Sequence, residues 1–170
     1  YNNQLCPPYP ECIEDYVGTQ DTSECEEPNL GLMFPDSLEV CPNTNFELPI
    51  ILINEENVPI EGLLTVINYD SDIIQIDSVF TSGTFNDYEI SYNFVSSSLY
   101  ISMYWTGIDD PYVGSNEQIL TLHSSVVGDI GSSTLIEFSS VDINEDPGSY
   151  GNECYVEIIS ECEEPSLCDE

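Results

Sequence analysis

Between Asp36 and Ser160 the chain is a series of short runs in which apolar and polar residues alternate, each closed by turn-forming residues. The runs are Leu38–Val40, Phe46–Ile53, Gly62–Tyr69, Ile73–Phe80, Glu89–Phe94, Leu99–Trp105, Glu117–Val126, Ser133–Ser139 and Cys154–Ser160. Strict alternation puts successive side chains on opposite faces of a strand, so each run predicts a half-buried β-strand. Pro42-Asn43, Asn54–Pro59, Asp70–Asp72, Gly83–Asp87, Gly107–Ser115, Gly128–Gly131 and Asn144–Gly151 separate them and supply turn chemistry. No helical stripe of useful length appears. Nine closely spaced strands with no helix between them predict an all-β sandwich.

The ends follow another pattern. Residues 1–30 are rich in Cys, Pro and Glu and have no sustained period. The expected organisation is therefore an N-terminal arm or connector over 1–30, a sandwich over 31–160 and a C-terminal connector over 161–170. No membrane-spanning run or signal peptide is visible, and Tyr1 reads as the start of a processed chain.

Charge narrows the partners. The chain has 33 acidic residues and no Lys or Arg, a formal net charge of −33. Phosphate neutralisation needs cations, so nucleic acid is excluded as a partner, and anionic membranes are excluded for the same reason. Disorder is not implied, because 41% of the residues are hydrophobic and 11% aromatic, against the aromatic-poor composition of disordered acidic chains. The self-repulsion must be offset by divalent cations, glycans or a salty or acidic medium, which points outside the cell.

The seven cysteines, Cys6, Cys12, Cys25, Cys41, Cys154, Cys162 and Cys168, agree with that compartment. They cluster towards the ends without accompanying His, which disfavours zinc and favours disulfide staples. An odd number leaves one sulfur free or bonded to another chain.

An internal repeat adds to this. Ser23-Glu24-Cys25-Glu26-Glu27-Pro28-Asn29-Leu30 recurs as Ser160-Glu161-Cys162-Glu163-Glu164-Pro165-Ser166-Leu167, seven of eight positions being identical at a separation of 137 residues. Two readings stay open: a disulfide frame at both ends of one domain, or one period of an array. In the second, Cys6, Cys12, Cys25, Cys162 and Cys168 lie in the segments that would join copies.

Four segments carry a family resemblance: CPNTNFELPIIL (41–52), VPIEGLLTVINYDSDIIQIDSV (58–79), the pair SYNF (91–94) and LYISMYWTG (99–107), and ILTLHSSVVGDIGSSTLIEFSSVDI (119–143). In order and spacing, from Cys41 to Asp142, they resemble the cohesin family, modules that bind dockerins and recur in bacterial surface proteins. The resemblance implies a nine-stranded jelly-roll sandwich with its first and last strands adjacent. It also implies a dockerin-like partner.

Candidate chemistry is sparse. Asp142, Asn144, Asp146 and Glu153 match the D-x-N-x-D…E spacing of a calcium loop, although Pro147 stands where that loop needs Gly. Calcium and a solvated acidic turn are both open readings. Asp70/Asp72 and Asp109/Asp110 are weaker pairs. Tyr100, Tyr104, Trp105 and Tyr112 are either a sugar-binding platform or core and rim packing. His123, the one histidine, sits mid-strand among apolar neighbours and reads as a structural side chain. With no nucleophile elbow, triad spacing or phosphate loop, catalysis is not expected.

The expected function is a non-enzymatic extracellular structural module of a bacterial surface, assembling with copies of itself through its arms and disulfides. The alternative is a recognition module for a dockerin-like domain or a glycan, and an inert spacer repeat is a third reading. Without Lys or Arg trypsin has no site, so the reduced, urea-unfolded chain should remain intact in a trypsin digest followed by mass spectrometry.

Overall fold

The computed structural model describes residues 30–160 apart from 56, 109, 148, 151 and 152. Twelve strand segments form two sheets. In chain order they are β1 (Leu30–Met33), β2 (Ser37–Val40), β3 (Asn45–Asn54), β4 (Gly62–Asn68), β5 (Ile74–Thr81), β6 (Tyr88–Val95), β7 (Ser98–Trp105), β8 (Glu117–Val126), β9 (Ser133–Ile143), β10 (Asp146–Pro147), β11 (Ser149–Tyr150) and β12 (Cys154–Ile158). One 3-10 turn, Gly83–Phe85, leads into β6.

The nine predicted strands correspond to β2–β9 and β12. The additional segments are the four-residue β1 and the two-residue β10 and β11. β1 was not predicted because Leu-Gly-Leu-Met is too short to display alternation; it forms by pairing with β3, Leu30 opposite Asn54.

The smaller sheet has the order β11-β1-β3-β8-β5 and the larger β2-β12-β9-β4-β7-β6, with β10 attached to β9. Pairing is antiparallel except at the chain ends, where β1 runs parallel to β11 and β2 parallel to β12. The first and last of the nine predicted strands, β2 and β12, are thus adjacent.

The inward positions of both sheets make one core. β3 buries Leu48, Ile50 and Leu52, β7 buries Leu99, Ile101 and Met103, and β8 contributes Ile119, Leu120 and Leu122. Phe34 stacks on Phe138 with ring centroids 4.1 Å apart, closing the core between the sheets. Each such side chain contributes about 1.5–3 kcal/mol by leaving water.

Long connections are held by buried polar groups. The Tyr88 hydroxyl donates to the Ile60 carbonyl at 2.6 Å and accepts from the Tyr112 N–H at 2.9 Å. Burial, ahead of its other influences, raises the Tyr88 phenol above the usual tyrosine range. The Asn54 side chain accepts from the Val58 N–H and donates to the Val58 carbonyl, shaping the exit from β3.

The end of β9 makes a tight hairpin with β10. Ile143 faces Asp146 across a two-residue loop, Asn144-Glu145, and both loop residues have positive φ, 54° and 70°. That is a type I′ turn, whose twist matches that of the strands it joins. Asn144 tolerates this backbone and uses its side chain as a staple. Its Oδ1 accepts from the Glu61 and Gly62 N–H groups, at 2.7 and 3.2 Å, and its Nδ2 donates to the Pro59 carbonyl at 2.7 Å.

Two cysteines are described. Cys41 is disulfide-bonded. Cys154, expected from its spacing to be a disulfide cysteine, is instead a free thiol and completely buried. It opens β12 on a core-facing position opposite Ile136. Burial, with a smaller contribution from Asp36, pushes its pKa up to about 11 from the ordinary 9.0.

Two outcomes follow. Asn144→Ala removes three hydrogen bonds and places Ala at positive φ, and should lower stability by about 1–3 kcal/mol in urea titration, whereas Asp146→Ala, at an exposed site, should change it by about 0.5 kcal/mol or less. The Cys154 thiol should resist alkylation in the native protein at pH 8 and react on unfolding, as followed by mass spectrometry. Its folded pKa exceeds the unfolded value, so its contribution to stability is intact below pH 9 and falls as pH rises towards about 11.

Candidate functional site

The larger sheet presents the candidate site on its outer face. On its central strands β4 and β7 the outward positions are Gly62, Leu64, Val66 and Asn68, and Ser98, Tyr100, Ser102 and Tyr104. Outward positions of a solvated sheet face are ordinarily polar. Here Leu64, Tyr100 and Tyr104 are 52%, 46% and 47% exposed. In register, Leu64 lies opposite Ser102, and Val66 opposite Tyr100, so the apolar groups form a contiguous patch.

Two shallow depressions of about 360 and 510 Å³ flank this patch and share Leu64, Ser102 and Asp142. The first is walled by Tyr100 and Ser140, the second by Tyr104 and Glu145. Carboxylates border both. Asp142 faces Leu64 from β9, and Glu89 faces Tyr104 from β6. The Tyr104 hydroxyl donates to the Glu89 carboxylate, and this bond, more than any other cause, raises the phenol above the usual tyrosine range. The site is thus an apolar strip edged by negative charge. It suits an extended protein surface that brings apolar groups flanked by cations.

Asp142, Asn144, Asp146 and Glu153 are not gathered into a calcium loop. Asp142 is opposite Pro147 and Asp146 opposite Ile143; directly opposed residues share a face and neighbours alternate, so the two aspartates point to opposite sides of the hairpin. Asn144 spends its oxygen on backbone N–H groups, and Glu153 is exposed ahead of β12. Among the described residues no three of His, Cys, Asp and Glu are placed to hold a metal ion. The four residues do not fit a calcium site, because the segment that spaces them so is a strand reversal.

Of the other candidates, Asp70 accepts from the Asp72 N–H at 2.9 Å and caps the turn before β5. Asp110 is exposed, and Asp109 lies outside the described residues. The aromatic platform divides. Tyr100 and Tyr104 are on the outer face, while Trp105 and Tyr112 pack against the core, Tyr112 with its ring 4.6 Å from Phe85. His123 is on the outer face of the smaller sheet, its Nε2 3.3 Å from Glu47 and its ring 4.7 Å from Phe80. Cys6, Cys12, Cys25, Cys162 and Cys168, with the arms over 1–29 and 161–170, lie outside the described residues.

Sequence reading missed Leu64 and the role of β7's outward face. The signal was available: in Ser98–Trp105 both alternating positions carry apolar groups, Leu99, Ile101 and Met103 on one face and Tyr100 and Tyr104 on the other. A strand with aromatics in its polar slots presents apolar groups on its solvent face.

No family model and no curated protein matches the sequence. Solved structures do match. The sixth cohesin of scaffoldin B from Acetivibrio cellulolyticus, solved in complex with a Cel5 dockerin mutant, aligns with a TM-score of 0.63 at 15% identity over 76% of this chain and 99% of the other. The cohesin module of a family 33 glycoside hydrolase from Clostridium perfringens aligns at 0.65 with 8% identity, over 79% and 100%. A non-cellulosomal cohesin from the archaeon Archaeoglobus fulgidus aligns at 0.59 with 10% identity, over 78% and 92%. At these identities the likeness establishes architecture, and the described residues form a cohesin-like jelly-roll domain.

Proposed function

We propose that this chain is a non-catalytic, extracellular recognition module that binds a dockerin-like protein through the outer face of its larger sheet. The observation that carries this reading is the placement of Leu64, Tyr100 and Tyr104, exposed apolar side chains in the central outward positions of an acidic sheet. The fold's solved relatives include cohesins in complex with dockerins. The carboxylates of Asp142 and Glu89 favour a partner bearing Lys or Arg at the edge of its contact surface, since complementary charge speeds encounter and fixes register. Among the described residues, no helix is long and apolar enough to cross a membrane.

Titration calorimetry of the full chain against a panel of purified dockerins, the Cel5 dockerin included, tests this. Binding should weaken with added salt, and Leu64→Ala with Tyr100→Ala should weaken it by about tenfold or more, equivalent to about 1.4 kcal/mol. Binding unchanged in the double variant, or none across the panel, would sink the reading.

A second reading, the chain as one period of an array, is favoured by the position of the octapeptide repeat. Its first copy ends on Leu30, the first residue of β1, and its second begins at Ser160, just past the end of β12. One sandwich plus one connector then makes up the period. With Cys154 free the other six cysteines are even in number, so this reading no longer needs a disulfide between copies. Electron microscopy of native material, with non-reducing gels beside it, separates chains of sandwiches from single ones.

A further inference from the structure

We propose that β6 is a homotypic docking edge, by which two copies of this chain pair their larger sheets antiparallel about a two-fold axis. Among the described residues the two sheets have four edges, and three are blunted. β11 is two residues long, β2 is four, and β5 is broken by a bulge between Ile76 and Ser78 that carries the exposed Asp77. Short strands, bulges and charges are the devices that keep exposed edges from pairing.

β6 is neither short nor bulged, and it carries a single charge. It is eight residues long and pairs with β7 in unbroken register, without Pro or Gly, and Glu89 is its one charge. An edge strand of this length leaves a row of backbone donors and acceptors free to extend the sheet.

Its side chains point the same way. Tyr92 and Phe94 are opposite Ile101 and Leu99, on the core-facing side of the sheet. Their neighbours are buried, yet Tyr92 and Phe94 are 39% and 37% exposed and touch each other edge-on, ring centroids 5.7 Å apart. β6 therefore overhangs the smaller sheet, and a pair of aromatics faces inward with nothing among the described residues to cover it.

A second copy fits as occupant on charge and pattern. From Ile90 to Val95 the edge is uncharged in a molecule whose formal net charge is −33, so this stretch offers a cation-bearing strand little and suits a neutral, aromatic-rich one. Tyr-Glu-Ile-Ser-Tyr-Asn-Phe-Val is itself such a strand. In the antiparallel register that sets Tyr92 opposite its counterpart, Phe94 faces Ile90, Ser91 faces Asn93 and Glu89 faces Val95. Apolar groups meet on the inner face, and no two carboxylates are opposed. What resists pairing is the repulsion between two anionic bodies, which salt screens, the Debye length falling from ~30 Å at 0.01 M to ~3 Å at 1 M.

Sedimentation velocity of the full chain across that salt range, with and without reductant, tests the proposal. The dimer fraction should rise with salt, opposite in sign to binding of a cationic partner on the outer face, and should persist under reduction. Tyr92→Glu, which opposes two carboxylates at the axis, should give monomer at every salt concentration with an unchanged circular dichroism spectrum. Tyr100→Glu, on the other face, should leave the dimer intact while abolishing dockerin binding, so the two readings fail separately. Monomer at all ionic strengths, a dimer indifferent to Tyr92→Glu, or one that disappears on reduction would overturn it.

Discussion

A chain with no Lys and no Arg has almost no cation with which to pair its carboxylates, and the placement of its acidic side chains follows from that constraint. An unpaired buried carboxylate costs several kcal/mol even after the protein relaxes around it, so each must reach water. Among the described residues the buried polar side chains are Asn54, Thr65, Thr121, Ser124 and Thr134, with no Asp or Glu among them. A β-sandwich suits this composition because alternation gives every strand an outward file. Glu39 and Glu157 sit opposite each other in that file on β2 and β12, a like-charge pair tolerated only because solvent reaches both. Cohesion comes from the apolar interior and the backbone ladders, and His123 with Glu47 is a half-exposed exception of little energetic weight.

Much of the architecture was legible because alternation is local and strong. Glu117–Val126 was placed residue for residue, and the other long strands within a few residues of their ends. What failed was information that spacing does not carry. Asp142, Asn144 and Asp146 have the interval of an ion-binding loop, but whether side chains at that interval converge depends on the backbone between them. Positive φ at Asn144 and Glu145 makes a strand reversal, which sends the two aspartates apart. β9 likewise ran on to Ile143, past the predicted Ser139, because its pairing with β4 continues across a bulge between Val66 and Ile67. Cysteine arithmetic stopped at parity. Which sulfur is the odd one depends on which faces the core, and Cys154 does because β12 begins in register with Ile136.

The candidate site was legible only in part, since exposure is a property of the sheet as a whole. Tyr100 and Trp105 read alike in sequence. One faces water and the other packs against the core because their positions on β7 differ by an odd number of residues. The aromatics of β6 carry the same lesson from the other side: Tyr92 and Phe94 are in core-facing slots, and the unequal widths of the two sheets leave them uncovered by the other described residues.

The parallel pairing at the ends of the fold also decides how it bears load. β2 runs alongside β12 in the same direction, Ser37 against Tyr155 and Val40 against Ile158. Tension between the start of β2 and the end of β12 would slide these strands past each other along their length, so the hydrogen bonds between them share the strain at once instead of opening one by one like a zip. A parallel pair of this kind yields late when sheared along its length and early when peeled from one end, so the direction of force decides its strength.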